Sequence, residues 1–447
     1  MKILLILPNR QVAESPSLWM RKKHRMGYAP TTLTKLAALV PKHLNADISI
    51  IDEGIEELLV DKIEADLVGI SVLSTNAFHA YRIADQLRKR GITIVLGGVH
   101  VSFMLEEALI HADAVVVGFA EKAWPQLLND YQQATLKRIY QVPVSQSDLN
   151  GFYPNRTLLK RKRYILPDTL ESTRGCLNRC QFCIIHEICK GQFLKRDIID
   201  VITEIKQFKG KNIVFLDSSP TEDPPYFRDL CKALKPLKIR WYCCITSNFF
   251  IDDSLLKDAA NSGLKGVLIG FESLNQISLQ AEGKYFNQVS EYKNYIKKLH
   301  RLGIYVLGSF MFGFDDDDPT IFERTIKFVD ESNIDLIHYA IYTPLPGSAD
   351  FERLSGEGRI LTTDWSKYDC TKVVFKPKGM SLEELQRGFL YAYEKTHSSR
   401  SILKRILSSG ILPINGFIGN VGFRLIGKII KKEALKYLEE YKINQNV

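Results

Sequence analysis

Three cysteines lie close together in the sequence, at Cys176, Cys180 and Cys183. They form a C-x3-C-x2-C spacing, and Phe182 directly precedes the last of them. Thiolates are soft ligands that favour iron–sulfur clusters, zinc or copper(I). Three thiolates at this spacing can bind three irons of a four-iron cluster, and a fourth cysteine is missing at the expected spacing. We therefore expect a [4Fe-4S] cluster with one iron open to a small chelating molecule.

Zinc and disulfide bonds are the competing interpretations of these cysteines. Structural zinc usually has four protein ligands in two close pairs, and His186 or Cys189 could complete such a set. The chain would then be a zinc-stabilised scaffold without catalytic activity. Disulfide bonds belong to oxidising compartments, which nothing in the sequence indicates. The other cysteines are predicted to be inert buried thiols.

The length of 447 residues is enough for two or three domains. Apolar residues make up 45% and charged residues 25%, which is typical of a globular protein, and the net charge of +9 points to no class of partner. The N-terminal apolar run is too short for a signal peptide and favours a first β-strand. No run reaches the length of a membrane span. We expect a cytoplasmic protein without a nucleic-acid partner.

Residues 1–135 alternate short apolar runs with helical patterns, which indicates a parallel sheet covered on both faces. Strands are expected at Lys2–Leu7, Ile48–Ile51, Leu67–Val72, Thr93–Leu96 and Ala114–Val117. Helices are expected at Thr31–His43, Ile55–Lys62, Ala77–Arg90, Leu105–Ile110 and Lys122–Tyr131. The fold class is therefore α/β, beginning with a doubly wound, Rossmann-like domain.

Small and polar residues follow the strands of this first domain. Ligands of doubly wound sheets lie at the carboxyl ends of the strands, where residues without bulk let a flat molecule approach the backbone. An ordinary response-regulator-like domain is the competing interpretation. The candidate binding residues are Ser71, Ser74, Thr75, Gly97, Gly98, Val99, His100, Gly118 and Glu121.

A proline-containing linker over residues 136–168 separates this domain from a second alternating region, residues 169–375. Six βα repeats there predict a partial (β/α)6 barrel, whose functional groups line the carboxyl ends of its strands. Polar residues follow these strands at Asp217, Ser247, Asn248 and Glu272. The run Asp315–Asp318 favours a solvent-exposed loop, with a role facing a cation or the substrate as the alternative.

The turns of both domains carry a specific resemblance. In the first domain, Gly-Ile-Ser, Gly-Gly-Val-His and Val-Val-Gly-x-x-Glu resemble the cobalamin-binding domain fused ahead of many radical S-adenosylmethionine enzymes. In the second, the cysteine spacing, Gly270–Ser273, Gly308–Phe314 and Thr343–Ser348 resemble the cobalamin-dependent members of that group, which include the hopanoid C-2 methylases. Two departures stand out: Asp-x-His-x-x-Gly is absent, and the usual Gly-Glu-Gly-Glu reads Gly118-Phe-Ala-Glu121.

The resemblance implies a [4Fe-4S] cluster, S-adenosylmethionine and cobalamin as cofactors. Cys176, Cys180 and Cys183 would bind the cluster. Cobalt would have no protein histidine ligand, and His100 would contact the corrin or its side chains. The residues implied to contact S-adenosylmethionine are Phe182, Asp217, Ser247, Asn248, Glu272, Gly308 and Ser309.

The implied reaction is C-methylation of an unactivated carbon. A 5′-deoxyadenosyl radical would remove hydrogen from the substrate, and methylcobalamin would supply the methyl group. A radical cyclisation or rearrangement with cobalamin is the alternative, as is a degenerate first domain without cobalamin. An electron donor such as flavodoxin or ferredoxin is implied, and no catalytic side chain is assigned.

Residues 376–447 show a helical pattern with many cations. From Arg400 onward there are nine Lys and Arg residues and three Glu residues. A helix pair that closes the core is the favoured interpretation, and contact of residues 410–432 with a membrane surface is the alternative. The family resemblance and this apolar, basic tail favour a lipid or a secondary metabolite as the substrate.

Overall fold

A computed structural model describes residues 1–9, 26–408 and 413–445 of the chain. Packing divides the chain into two compact units. The first consists of Met1–Gly175, Glu187–Leu216 and Asp364–Ser366. The second consists of Cys176–His186, Asp217–Thr363 and Lys367–Val447.

The first unit is built on a parallel sheet of six strands. The described residues of this unit form β1 (Lys2–Leu7), β2 (Met26–Tyr28), β3 (Asp47–Asp52), β4 (Leu67–Ser71), β5 (Thr93–Gly97), β6 (Ala114–Val116), β7 (Ile139–Tyr140), β8 (Tyr164–Leu166), β9 (Thr169–Leu170), β10 (Thr173–Arg174), β11 (Leu194–Lys195) and β12 (Asn212–Phe215). The large sheet has the order β3-β1-β4-β5-β6-β7. Every residue of β4 is buried, as expected of a parallel strand covered on both faces. The doubly wound domain predicted from the sequence is confirmed.

Helices connect these strands. They are α1 (Thr32–Ala38), α2 (Ala77–Arg88), α3 (Val99–Phe103), α4 (Leu105–His111), α5 (Ala120–Gln132), α6 (Ile185–Ile188), which spans the boundary between the units, and α7 (Ile198–Lys206). In α2, Ala80, Ile83, Ala84 and Leu87 recur at helical spacing and are buried. The predicted helix at Ile55–Lys62 is wrong, because only a 3-10 turn at Val60–Lys62 forms there.

The segment predicted as a linker contributes structure to the first unit. β7 extends the large sheet by pairing with β6, and β8 pairs with β2. β7 and β8 have two and three residues, which is too short for a hydrophobic period to be visible in the sequence. After the linker, β9 pairs in parallel with β12, and β10 pairs antiparallel with β11.

The second unit contains four parallel strands in the order β16-β15-β14-β13. They are β13 (Arg240–Ile245), β14 (Leu264–Glu272), β15 (Tyr305–Phe312) and β16 (Leu336–Ile341). Between and after them lie α8 (Pro224–Leu234), α9 (Asp253–Asn261), α10 (Gln276–Ala281), α11 (Tyr292–Arg301), α12 (Thr320–Ser332) and α13 (Ala349–Gly356). Burial alternates along β15, so one face of the sheet is covered and the other is partly open.

In the part of the C-terminal region that the structure describes, the second unit has the helices α14 (Leu382–Thr396), α15 (Ser399–Ser408) and α16 (Pro413–Gln445). Ala434, Tyr437 and Leu438 of α16 are buried, and the Tyr437 hydroxyl donates to the Val373 carbonyl at 2.5 Å. The favoured interpretation of the tail as core-closing helices is confirmed for these residues. Residues 410–412 of the predicted membrane-contact segment lie outside the described residues, and no described helix has both the length and the apolar character to cross a membrane.

Candidate functional site

The three cysteines lie on one loop, defined here as the cluster loop, residues 175–184. All three thiols are free and partly exposed. The loop turns back on itself, because the Cys183 N–H donates to the Cys180 carbonyl at 3.0 Å. Gly175 begins the loop with a φ of 101°, and a Cβ there would lie 2.1 Å from the Gln192 carbonyl oxygen. Only glycine fits this turn.

The thiols lie close enough to influence one another electrostatically. Burial raises the pKa of Cys176 to about 11, with Glu222 adding to the effect. Burial also raises the pKa of Cys180 to about 12, against an opposing contribution from Lys284. Among the described residues, no three His, Cys, Asp or Glu side chains are grouped to hold a single metal ion. A four-iron cluster places its ligands on different irons, so this donor set of three soft thiols on one loop fits the cluster.

A carboxylate contacts the first cysteine of the loop. Asn178 Nδ2 lies 3.3 Å from Cys176 Sγ and 2.9 Å from Glu222 Oε1. The Ser219 hydroxyl donates to the same oxygen of Glu222 at 2.7 Å. Glu222 and Asn178 were not predicted as site residues, and no motif distinguishes them in the sequence.

Glu272 ends β14 with a φ of 63°, which is a strained conformation for a residue other than glycine. Its Oε1 forms a buried ion pair with Lys284 Nζ at 2.6 Å. Gly270 makes room for this carboxylate, since a Cβ on Gly270 would lie 2.1 Å from Glu272 Oε1. Lys284 Nζ also lies 5.8 Å from the centre of the Phe182 ring. The structure therefore brings the predicted Glu272 and Phe182 together through a lysine that sequence reasoning missed.

The predicted residues after β13 have different environments. The Ser247 hydroxyl is buried and donates to the Phe286 carbonyl and to Asn287 Oδ1, each at 2.8 Å. Asn248 is exposed, whereas Asp217, which follows β12 instead of β13, is buried. Ser247 therefore already has internal partners, whereas Asn248 is accessible to a ligand.

Gly308 and Ser309 are neighbours in β15 and therefore face opposite sides of the sheet. A Cβ on Gly308 would lie 2.2 Å from Ile334 Cδ1, so this glycine is required by packing on the covered side. Ser309 lies on the partly open side, where its hydroxyl is 3.3 Å from His338 Nδ1. Burial lowers the pKa of His338, and the charge of Glu272 opposes that shift. His338 is a second candidate that the sequence patterns did not single out.

A cavity of about 280 Å³ opens at the carboxyl ends of β4, β5 and β6 in the first unit. The predicted residues that line it are Ser71, Gly97, Gly98, Val99, Gly118 and Glu121. Gly98 has a φ of 109°, and a Cβ there would lie 2.6 Å from the Val72 carbonyl oxygen. A lining of this kind lets a planar ring come close to the backbone.

Charged side chains form part of the cavity wall. Arg174 binds Glu121 at 2.8 Å and Glu171 at 2.9 Å, and Lys35 pairs with Glu171. Glu121 Oε2 is buried and has no hydrogen-bond partner among the described residues. A corrin carries amide side chains, whose N–H groups are suitable donors to such an oxygen. The cavity therefore fits cobalamin by its glycine lining and by this acceptor.

Ser74, Thr75 and His100 do not line the cavity. His100 is buried, with Nδ1 3.1 Å from the Ser74 hydroxyl and Nε2 3.2 Å from Glu107 Oε1. Trp365 Nε1 donates to Glu107 Oε2 at 3.0 Å. In this structure His100 belongs to an internal network, and its contact with a corrin stays a prediction.

Two family models match the chain in the expected order. Residues 37–128 match the B12 binding domain, and residues 170–329 match the radical SAM superfamily. These segments contain the strands around the glycine-lined cavity and the cluster loop.

Curated relatives cover most of the chain. Bacteriochlorophyllide d C-12(1)-methyltransferase of Chlorobaculum tepidum is 29% identical over 84% of this chain and 84% of its own. Anaerobic magnesium-protoporphyrin IX monomethyl ester cyclase of Rubrivivax gelatinosus is 24% identical, covering 90% of this chain and 79% of its own. Hopanoid C-2 methylase of Rhodopseudomonas palustris is 21% identical, covering 88% and 80%.

Solved structures share the fold. The cobalamin-dependent S-adenosylmethionine radical enzyme OxsB matches 98% of this chain and 80% of its own with a TM-score of 0.66 and 15% identity. The radical S-adenosylmethionine methyltransferase TsrM of Kitasatospora setae matches 80% and 75% with a TM-score of 0.61 and 14% identity. The chain is therefore a cobalamin-dependent radical S-adenosylmethionine enzyme, with a B12-binding domain ahead of its radical SAM domain.

Proposed function

We propose that this enzyme transfers a methyl group to an unactivated carbon of a small molecule. One observation carries the proposal: the same chain contains the cluster loop with its three cysteines and the glycine-lined cavity of the B12-binding domain. Relatives named as methyltransferases, matched over most of their length, support it.

The residues of the chain have distinct roles in this proposal. When bound, the cluster with S-adenosylmethionine supplies a carbon-centred radical, and cobalamin supplies the methyl group. Cys176, Cys180 and Cys183 hold the cluster. Glu272, oriented by Lys284, binds the ribose hydroxyls of the nucleoside. Ser309 lies on the partly open side of its sheet, and the substrate would bind on that side.

Anaerobic reconstitution tests the proposal. Protein with iron, sulfide, cobalamin, reductant and S-adenosylmethionine should produce 5′-deoxyadenosine, and with its substrate a product that has gained one methyl group. Replacing each cluster-loop cysteine by alanine should abolish both products. Cys244→Ala is the matched control, since Cys244 is a partly exposed thiol outside the cluster loop. Unchanged 5′-deoxyadenosine yield in all three cluster-loop variants would contradict the proposal.

Radical cyclisation is the second candidate. The relatives named as anaerobic magnesium-protoporphyrin IX monomethyl ester cyclases favour it. Mass spectrometry separates the two reactions, because a methylated product has gained a carbon and a cyclised product has not.

The substrate we propose is a large, mainly apolar ring system. The methylating relatives are named for a bacteriochlorophyllide and a hopanoid, which are both polycyclic and largely apolar. A bacteriochlorophyllide, a hopanoid and a linear fatty acid, offered separately, should give turnover with at least one polycyclic compound. Turnover only with the fatty acid would reject this substrate class.

We also propose that α16 contacts an anionic lipid surface. Leu425, Ile426 and Ile429 are exposed on this helix, and Lys428 and Lys436 are exposed between and beyond them. Exposed apolar residues beside cations are typical of interfacial helices. The triple replacement of Leu425, Ile426 and Ile429 by glutamine should reduce co-sedimentation with anionic vesicles. Ile251→Gln, at an exposed site outside α16, is the control, and equal co-sedimentation of both variants would reject the contact.

The reaction requires an external one-electron donor, for which we propose flavodoxin or ferredoxin. Either reduced protein should support 5′-deoxyadenosine formation without chemical reductant. If the enzyme forms 5′-deoxyadenosine with the chemical reductant but with neither reduced flavodoxin nor reduced ferredoxin, this class of donor is ruled out.

A further inference from the structure

The middle of the cluster loop is attached at Gln181, between the second cysteine and Phe182. The Gln181 N–H donates to the Glu282 carbonyl at 3.0 Å, and the Asp350 N–H donates to the Gln181 carbonyl at 3.1 Å. Glu282 directly follows α10, and Asp350 lies in the first turn of α13. Two separate helices therefore hold this residue of the loop through their backbones.

The side chains of the same two residues meet in the interior. Glu282 is 5% exposed and Asp350 is 2% exposed. Glu282 Oε2, Asp350 Oδ2 and the neighbouring Tyr342 hydroxyl are buried, and none of them has a hydrogen-bond partner among the described residues. The two carboxyl groups lie within interaction distance of each other. Two carboxylates are both acceptors only, so a hydrogen bond between them requires a proton on one of them.

The surrounding charges assign that proton to Glu282. Asp350 Oδ1 accepts from Arg353 Nη2 at 2.9 Å and from Arg353 Nε at 3.1 Å, so this carboxyl group is already held by a guanidinium. Burial, followed by the neighbouring Asp350, raises the pKa of Glu282 to about 9. Asp315, after β15, adds in the same direction, and the charge of Arg353 opposes it. Tyr342, after β16, is the remaining titratable group that faces the pair.

We propose that Glu282 and Asp350, joined by one shared proton, are positioning residues that hold the cluster loop at Gln181. Only the predicted effect on iron binding depends on the proposed function, in which Cys176, Cys180 and Cys183 are the cluster ligands. When Glu282 ionises, two adjacent carboxylates repel each other in a buried site. Because their backbones carry both hydrogen bonds to Gln181, their separation loosens the loop between Cys180 and Cys183.

Unfolding of the apoprotein at several pH values gives the first test. The pKa of Glu282 is higher in the folded protein, at about 9, than in the unfolded chain. The free energy of unfolding is therefore highest below the unfolded-state pKa of Glu282 and falls as pH rises toward about 9. The unfolding constant of the wild type should therefore gain up to about tenfold per pH unit in this window from Glu282. Glu282→Gln carries a permanent donor and should lack that contribution. Glu352→Gln, an exposed glutamate on the same helix as Asp350, should behave as the wild type.

Amide hydrogen exchange at Gln181 separates local loosening of the cluster loop from a change in the stability of the whole protein. After correction for intrinsic base catalysis, protection of this amide in the wild-type apoprotein should fall about tenfold between pH 6.5 and pH 9.5, relative to amides of β14. Glu282→Gln should keep its protection. Asp350→Asn, which can donate its amide to Glu282, is the second variant if the first does not fold. Equal pH dependence of Gln181 protection in wild type and variant would overturn the proposal.

These outcomes are separate from the proposed function, since both measurements use protein without cofactors. In reconstituted protein, wild type should lose iron faster at pH 9.5 than Glu282→Gln does. Normal loop protection with no iron bound at any pH would instead count against the cluster assignment and leave the carboxyl pair intact.

Discussion

At the scale of single residues, the site depends on charges that the fold keeps out of water. Glu272 and Lys284 form a buried pair, and each would be an uncompensated charge without the other. Breaking a buried pair costs more than the pair contributes, because the remaining ion keeps its desolvation penalty. The strained backbone at Glu272 indicates that its position serves a ligand more than stability.

Lys284→Met should destabilise the protein by about 3 kcal/mol, because Glu272 stays buried without its partner. Glu272→Gln in the same chain should recover part of that loss, since it removes the unpaired charge. Urea unfolding of both single variants and the double variant measures the coupling. Additive effects would show that the two side chains do not form this pair in solution.

The sequence identified the residues that belong to motifs and missed those that meet them only in the fold. Glu272 and the three cysteines stand in recognisable patterns. Lys284 and His338 are single residues in ordinary contexts. The turn after α10 brings Lys284 to Glu272, and the parallel packing of β14, β15 and β16 brings His338 near it. Gly308 belonged to a motif but serves packing against Ile334.

At the scale of elements, the ends of the parallel strands of the first unit form the cavity. Gly97 ends β5, and a Cβ there would lie 3.6 Å from Val116 Cβ, which is ordinary contact. Its backbone does not require glycine, so the missing side chain matters for the space it leaves.

The loop Asp315–Asp318 shows that a run of identical charged residues does not predict the burial of each of its members. Asp317 is buried and accepts from the Gly313 and Phe314 N–H groups, whereas the exposed Asp316 and Asp318 follow the predicted surface loop.

Gly97→Leu should abolish cobalamin binding, because the new side chain enters the cavity without straining the backbone. Gly97→Ala should retain much of the binding, as its methyl group makes only ordinary contacts. Visible absorption of the bound cofactor after gel filtration measures both. Cobalamin bound equally by the leucine variant would place the corrin elsewhere.

The end of α14 should make the second unit sensitive to acid. Burial lowers the pKa of His397 to about 4, so the folded state resists protonation that the unfolded state accepts. Stability from His397 is present above its unfolded pKa and falls as pH drops toward 4, by about 3 kcal/mol in all. Denaturant unfolding at pH 7.5 and pH 5 should show a smaller loss in His397→Gln. An equal loss in both proteins would assign the acid sensitivity to other groups.

At the scale of the whole molecule, two units built on parallel sheets carry the two sets of predicted ligands. Alternating strand and helix patterns were sufficient to predict both sheets. The division of the chain was not predictable in the same way, because the segment Cys176–His186 and the short stretch Asp364–Ser366 each pack with the unit that does not contain their neighbours in sequence. No local pattern records such exchanges.

Each unit should bind its own cofactor independently. The Cys176, Cys180 and Cys183 triple alanine variant should lose iron and keep cobalt, whereas Gly97→Leu should lose cobalt and keep iron. Metal analysis of the reconstituted proteins measures both. Simultaneous loss of both metals in soluble, folded variants would mean that one binding event depends on the other.

The hydrogen bond from Trp365 to Glu107 links positions 258 residues apart within the first unit. During translation, the amino-terminal sheet is made early, yet its partner Trp365 leaves the ribosome only after most of the other unit has been synthesised. Completion of the B12-binding unit is therefore a late event in biosynthesis, and a fragment ending at residue 168 would carry its sheet with a tryptophan-sized gap beside His100.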